Sequence, residues 1–153
     1  MNIILLPVAF VKNSRKEAID DHWGKVISEI VLVDDLKEEC LNGLEEFSHA
    51  EIIFYFDKAD PKRENRGVRH PRDNKNWPLT GVFAHRGKDR PNHIGSTIVK
   101  IIKKEGRTLF VSGLDAIDQT PVLDIKPVFS EFLPAAALTQ PQWSKELMEK
   151  YFL

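Results

Sequence analysis

From Ile94 to Leu114 the chain reads IGSTIVKIIKKEGRTLFVSGL, and this stretch limits the possible folds more than any other. Ile94 to Ile102 and Thr108 to Leu114 are rich in β-branched and apolar residues, and Glu105-Gly106-Arg107 is turn chemistry between them. A hairpin of this kind must bury one face against further strands. Candidate strands occur on both sides. Ile3 to Val11 is a continuous apolar run. Lys25 to Val33, KVISEIVLV, alternates before turning fully apolar, and Glu51 to Asp57 reads EIIFYFD. Gly81 to Ala84 and Val122 to Val128 add two short ones. Two segments have helical spacing. Asp34 or Asp35 can cap a short helix through Leu44, with Leu36, Cys40, Leu41 and Leu44 on one face and Gly43 at its end. Pro141 opens a terminal helix in which Trp143, Leu147 and Tyr151 share a face. The expected fold is mostly β: an antiparallel, barrel-like single domain over residues 1–153, with two or three short helices and one long basic loop.

A chain of 153 residues can bury a core of about two-thirds of its unfolded surface. No segment approaches the ~20 apolar residues needed to cross a bilayer. The start, MNIILLPVAFVK, has no basic leader region and no small-residue cleavage site, so it reads as a first strand rather than a signal peptide. Cys40 is the single cysteine, which excludes an internal disulfide and thiolate-pair zinc sites; the cytoplasm is the expected compartment. The glycines form neither GxGxxG nor a P-loop, which argues against a Rossmann-type cofactor site. His85 and His93 lack a carboxylate at metal-ligand spacing, so no metal is expected.

Charge is uneven. Residues 1–61 hold 6 Lys/Arg against 13 Asp/Glu, residues 62–90 hold 9 against 3, and residues 91–153 hold 7 against 7. The middle block includes Asp60 to Pro78, a run with three prolines and few apolar residues that reads as a long loop. Its Arg63, Arg66, Arg69 and Arg72 could follow a nucleic-acid backbone, and Trp77 could stack on an unpaired base. Equally, the arginines could pair with acids and Trp77 could be core.

Three stretches carry site chemistry. In Arg86 to Ser96, RGKDRPNHIGS, Pro91 biases Arg90 towards an extended backbone, Asn92 tolerates turn dihedrals, and Gly95 allows a close approach by a ligand or another backbone. Arg86 and Arg90 are forked cations suited to a carboxylate or phosphate. In Leu114 to Pro127, LDAIDQTPVLDIKP, Asp115, Asp118 and Asp124 could accept from an amine or from ribose hydroxyls. Glu45 to His49, EEFSH, places Ser48 and His49 at the start of a strand.

These stretches together resemble the TsaA-like family, which includes the TrmO-type tRNA methyltransferases. GVFAHRGKDRPNHIGSTIVKI is similar to the family segment GVFATRSPxRPNPIGLS, and LDAIDQTPVLDIKP is similar to LDLLDGTPVLDIKP. LNGLEEFSHAEIIFYF resembles LxGLExFSHxxVLFxF, and KVISEIVL resembles the segment upstream. The likeness runs from Trp23 to Val128. It implies an antiparallel barrel that binds S-adenosyl-L-methionine, acts as a homodimer with the cofactor near the subunit interface, and methylates N6-threonylcarbamoyladenosine beside the anticodon of tRNA. By position, it implies cofactor contacts at Arg86, Arg90, Asn92, Ser96, Asp115, Asp118, Thr120 and Pro121. A base would help a protonated nitrogen to react, and His49 or an aspartate such as Asp118 are the candidates. The sequence departs from the family at His93, where proline is usual, at His85 and Gly87, where Thr and Ser are common, and at Gln119, where glycine is usual. It also stops soon after the resemblance, where some members continue into a further domain. A methyltransferase for a small molecule and a non-catalytic cofactor- or RNA-binding module are the alternative readings.

Overall fold

The computed structural model describes residues 1–153. Six strands close into an antiparallel barrel. They are β1 (Ala9–Lys12), β2 (Ile27–Leu32), β3 (His49–Tyr55), β6 (Ile94–Glu105), β7 (Thr108–Ser112) and β8 (Pro121–Pro127), in the spatial order β1-β2-β7-β6-β3-β8. β4 (Val68–Arg69) and β5 (Thr80–Gly81) form a separate two-stranded sheet. The single α-helix is α1 (Gln142–Met148), and seven 3-10 turns make up the other helical structure.

The alternation of each strand decides what fills the barrel. Ala9, Val11, Ile30, Leu32, Ala50, Ile52, Phe54, Val99, Leu109, Val111 and Val122 point inward and are buried, with Leu41, Leu114 and Ala116 packed against them. Register slips between Ile101 and Lys103 on β6, and opposite the step from Ile53 to Phe54 on β3, mark two irregularities. Such bulges bend strands, which a small closed barrel requires. The turn at Glu105-Gly106-Arg107 joins β6 to β7 as the sequence suggests, with Gly106 at φ +53°.

Four expectations about elements change. The first strand is not Ile3 to Val11; it starts at Ala9, and Met1 to Leu6 lie exposed. The partner strands explain this, because Ala9 already faces Leu32 at the end of β2 and Val122 near the start of β8, so earlier residues have no ladder to join beyond Val8. The helix expected through Leu44 is instead two 3-10 turns, Glu38–Leu41 and Leu44–Glu46. Extended Asn42 and left-handed Gly43 (φ +91°) break it, only Leu41 is fully buried, and Cys40 is exposed. Gly81 to Ala84 is mostly a 3-10 turn that buries Val82 and exposes Phe83. The segment from Asp60 to Pro78 is not structureless. It holds turns at Pro61–Arg63 and Pro71–Asp73, each with proline in the first turn, where its missing N–H costs nothing.

The terminal helix forms one residue later than expected, with Pro141 just outside it. Trp143, Leu147 and Tyr151 are half-buried and face the body of the protein. Beyond α1 the backbone docks on the segment before β2: His22 N–H donates to the Lys150 carbonyl (3.0 Å) and Trp23 N–H to the Tyr151 carbonyl (2.8 Å). No helix is long and apolar enough to cross a membrane.

Candidate functional site

β3 and β6 are paired along their whole shared length, with Glu51 opposite Ile98 and Ile53 opposite Ser96. Strand alternation therefore puts His49, Glu51, Ile53 and Tyr55 on the outer face of β3, beside Ile94, Ser96, Ile98 and Lys100 of β6. Three polar groups meet there. Arg86 Nη2 donates to the Ser96 carbonyl at 2.6 Å, and Ser96 Oγ donates to Glu51 Oε1 at 2.6 Å. His49 is exposed at the head of β3, with its Nδ1 2.7 Å from Ser48 Oγ. Arg86 is itself exposed, and only one of its five N–H donors is used internally. Glu51 carries no motif signal of its own, but β3 alternation alone puts it beside His49 and Ser96.

Three other side chains of the Arg86 loop, those of Asp89, Arg90 and His93, have partners within the protein. Arg90 Nη1 donates to the His85 carbonyl at 2.8 Å. Asp89 is buried and accepts from Arg69 at 3.1 Å, with Arg63 at 3.4 Å. His93 is buried between the Lys88 carbonyl (2.9 Å) and Glu64 (3.3 Å). Asn92 is exposed at φ +66°, and His93 stands at φ +48°. Proline fixes φ near −65°, so the residue usual in the family could not adopt this backbone at position 93. Gly95 is required by packing: a Cβ there would lie 2.5 Å from the Phe54 ring. The close approach that the sequence suggests at Gly95 is thus an internal aromatic side chain.

The second loop is tied down more completely. Asp115 accepts from the Thr97 hydroxyl and, at 2.5 Å, from the Tyr151 phenol. Asp118 is buried, accepts from Asn13 N–H at 3.0 Å and pairs with Lys16. Lys16, then the Asn13 N–H, hold its carboxyl below the ordinary carboxylate range. A carboxylate held in that way is a weak proton acceptor. Asp118 N–H also donates to the Arg15 carbonyl, and Thr120 is buried with its carbonyl accepting from Val11 N–H. Pro121 begins β8 opposite Phe10. Gln119 sits at φ +67°, a left-handed position that explains the glycine usual there. The two loops touch through Thr97 and Asp115; His49 and Asp118 have different partners and do not meet. Asn13, Lys16 and Tyr151 were not legible as partners, because nothing local in their sequence marks them.

The four arginines of the basic segment each pair with an acid of the same chain. Arg66 pairs with Glu64 (2.6 Å), Arg69 with Asp73 (2.9 Å) and Asp89, Arg72 with Asp21 (2.8 Å), and Arg63 with Asp89. Trp77 is half-buried, and its Nε1 donates to Glu146 at 2.8 Å. A cleft of about 570 Å³ lies between the segment after β1 and β2, lined in part by Lys12, Lys16, Lys25, His22 and Phe110. No group of three or more His, Cys, Asp or Glu side chains is placed to hold a metal ion.

Five of the six barrel strands, the Arg86 loop and the Asp115 loop fall inside residues 19–132, which match the model of the tRNA-methyltransferase O N-terminal domain, and β1 precedes that span. The chain belongs to that family. A mouse protein named tRNA (adenine(37)-N6)-methyltransferase is 47% identical over 95 residues, which is 62% of this chain and 22% of the relative. A protein of Archaeoglobus fulgidus named "Probable S-adenosyl-L-methionine-binding protein" is 34% identical over 135 residues, 88% of this chain and 35% of the relative. A crystal structure of TrmO from Pseudomonas aeruginosa superposes with a TM-score of 0.75 at 27% identity, over 94% of this chain and 62% of that one. The chain thus spans about a fifth to a third of the length of these curated relatives.

Proposed function

We propose that this chain is an S-adenosyl-L-methionine-dependent methyltransferase that modifies N6 of a threonylcarbamoylated adenosine in tRNA, working as a cytoplasmic homodimer. The observation that carries the reading is the cluster of Arg86, Ser96, Glu51 and His49 on one outer face, built from hallmark stretches of a family whose relatives bear methyltransferase and cofactor-binding names.

The donor set suits the cofactor. Arg86 has unused N–H donors for an α-carboxylate. Glu51 and Asp115 offer acceptor oxygens for an amine or ribose hydroxyls. Ile98 and Ile94 supply exposed apolar surface for an adenine ring. When bound, the cofactor supplies an electrophilic methyl group on sulfur. The chain's own task is to align a nitrogen with that methyl, keep water out and receive a proton. His49 is exposed on the same face and takes the N6 proton in this scheme, while Ser48 Oγ at Nδ1 fixes its ring. In this scheme Asp118, locked by Lys16 and Asn13, takes no part in the proton transfer. Arg90 and Thr120 act by holding the loops, and Asn92 and Pro121 by shaping their turns.

The same face supports the dimer. Tyr55, Ile94, Ile98 and Ile102 form an exposed apolar row that a second copy would cover. For the RNA, Arg63 and Arg66 are more than half exposed despite their internal partners, Arg69, Arg72 and Trp77 are more enclosed, and Lys12 and Lys16, about two-thirds exposed, line the cleft after β1.

The test is incubation of purified protein with S-adenosyl-L-methionine and tRNA isolated from cells lacking the gene, followed by mass spectrometry of the nucleosides. A methyl group gained on threonylcarbamoyladenosine is the expected result. Cofactor binding without any gain on tRNA would point to a small-molecule substrate or a binding module, and no cofactor binding would overturn the reading.

A further inference from the structure

Residues 141–153 lie outside the span that matches the family model, yet they reach back to both candidate loops. Trp143 lies against His85, the residue before Arg86, with ring centroids 5.9 Å apart. Glu146 takes the indole N–H of Trp77. The Lys150 and Tyr151 carbonyls accept from His22 and Trp23, and the chain then passes so close to Gly24 that a Cβ there would lie 2.0 Å from the Phe152 carbonyl. These contacts fix the backbone on either side of Tyr151. Its phenol consequently has one destination, Asp115 Oδ2, at 2.5 Å.

Asp115 is held from two sides by neutral donors. Thr97, on β6 next to Ser96, takes Oδ1, and Tyr151 takes Oδ2. A carboxylate oxygen accepts two hydrogen bonds, so each retains a lone pair for a ligand donor. Burial and the neighbouring Asp115 charge push the Tyr151 phenol far above its ordinary value, so it remains a donor across the physiological range. Two fixed donors also remove the rotational freedom that Asp115 would otherwise lose on engaging a ligand.

We infer that Tyr151 is a positioning residue of the cofactor site: it holds the Asp115 carboxylate in the orientation that receives a hydroxyl or amine of S-adenosyl-L-methionine. This rests on the cofactor reading given above. It adds a strap beyond the span of the family model as part of the site.

The test is a double-mutant cycle read by calorimetry with S-adenosyl-L-methionine, with melting temperature recorded for each variant. Tyr151→Phe keeps the ring and its packing. It is expected to weaken binding about tenfold with the melting temperature little changed, and Asp115→Asn is expected to weaken binding at least as much. The double variant is expected to bind no more weakly than Asp115→Asn alone, because the phenol acts through the carboxylate. Thr97→Val, which removes the other donor, should repeat the pattern. Additive losses, unchanged affinity in Tyr151→Phe, or tighter binding from release of an occluded carboxylate would each overturn the inference. Absence of binding by the unsubstituted protein would instead overturn the cofactor reading itself.

Discussion

In the loop from Arg86 to Ser96, the guanidinium of Arg86 stays exposed with most of its donors unused, while in the loop from Asp115 to Pro121 both aspartates are taken by internal donors. Both loops are dense in charge, and density alone does not separate them. The difference lies in who the partners are. Around Arg86, Asp89 is taken by Arg69, Arg90 by the His85 carbonyl and His93 by the Lys88 carbonyl, which leaves Arg86 and Ser96 facing outward. Around Asp118, the partners Asn13 and Lys16 come from the segment after β1 and close the end of the barrel. One loop leaves a cation facing outward with its donors free, and the other ties Asp118 to the segment after β1.

Gly95→Ala tests the support under the first loop and should have the largest effect. The added methyl meets the buried Phe54 ring at 2.5 Å, and a loss of about 2–3 kcal/mol is expected by denaturant titration. Asp118→Asn tests the locked loop. It should cost about 2 kcal/mol by the same measure, with cofactor affinity affected less than by any change at Arg86. Acid titration sharpens the point. The folded carboxyl sits below its ordinary value, so its stabilisation is present above the ordinary carboxylate pKa and is lost as pH falls through the folded one. The variant should therefore show a flatter loss of stability in acid. An unchanged acid slope would remove Asp118 from the clamp.

Arg86→Ala should lower S-adenosyl-L-methionine affinity about tenfold by calorimetry while leaving melting almost untouched, since the side chain is exposed. Loss of stability without loss of affinity would reverse the contrast between the loops. Gln119→Gly should stabilise by about 1 kcal/mol, because the position is left-handed and no longer strained. Smallest of all, Arg66→Ala should change stability by less than about 0.5 kcal/mol, because its pairing with Glu64 is exposed.

The barrel was legible because strand alternation is local: the residues that fill it can be counted off within each strand, and the hallmark stretches lie on or beside β3, β6 and β8. The limits of the elements were less so, since the start of β1 depends on where Leu32 and Val122 run out. The state of the charges was least legible. Arg72 finds Asp21 and Lys16 finds Asp118 across 51 and 102 residues of chain, distances at which spacing carries no signal. Within a block of nine cations against three acids, Arg63, Arg66, Arg69 and Arg72 thus became paired, while lysines of the acidic first third came to line an open cleft.

Because β8 returns to pair with β1, each barrel strand has a neighbour on both sides. Over the paired residues, main-chain amides are therefore engaged within the ring, which has no free edge strand for an incoming copy to extend. Self-recognition through this wall of the barrel is then written in side chains such as Ile98 and Ile102, where a single replacement can tune it without disturbing the ring.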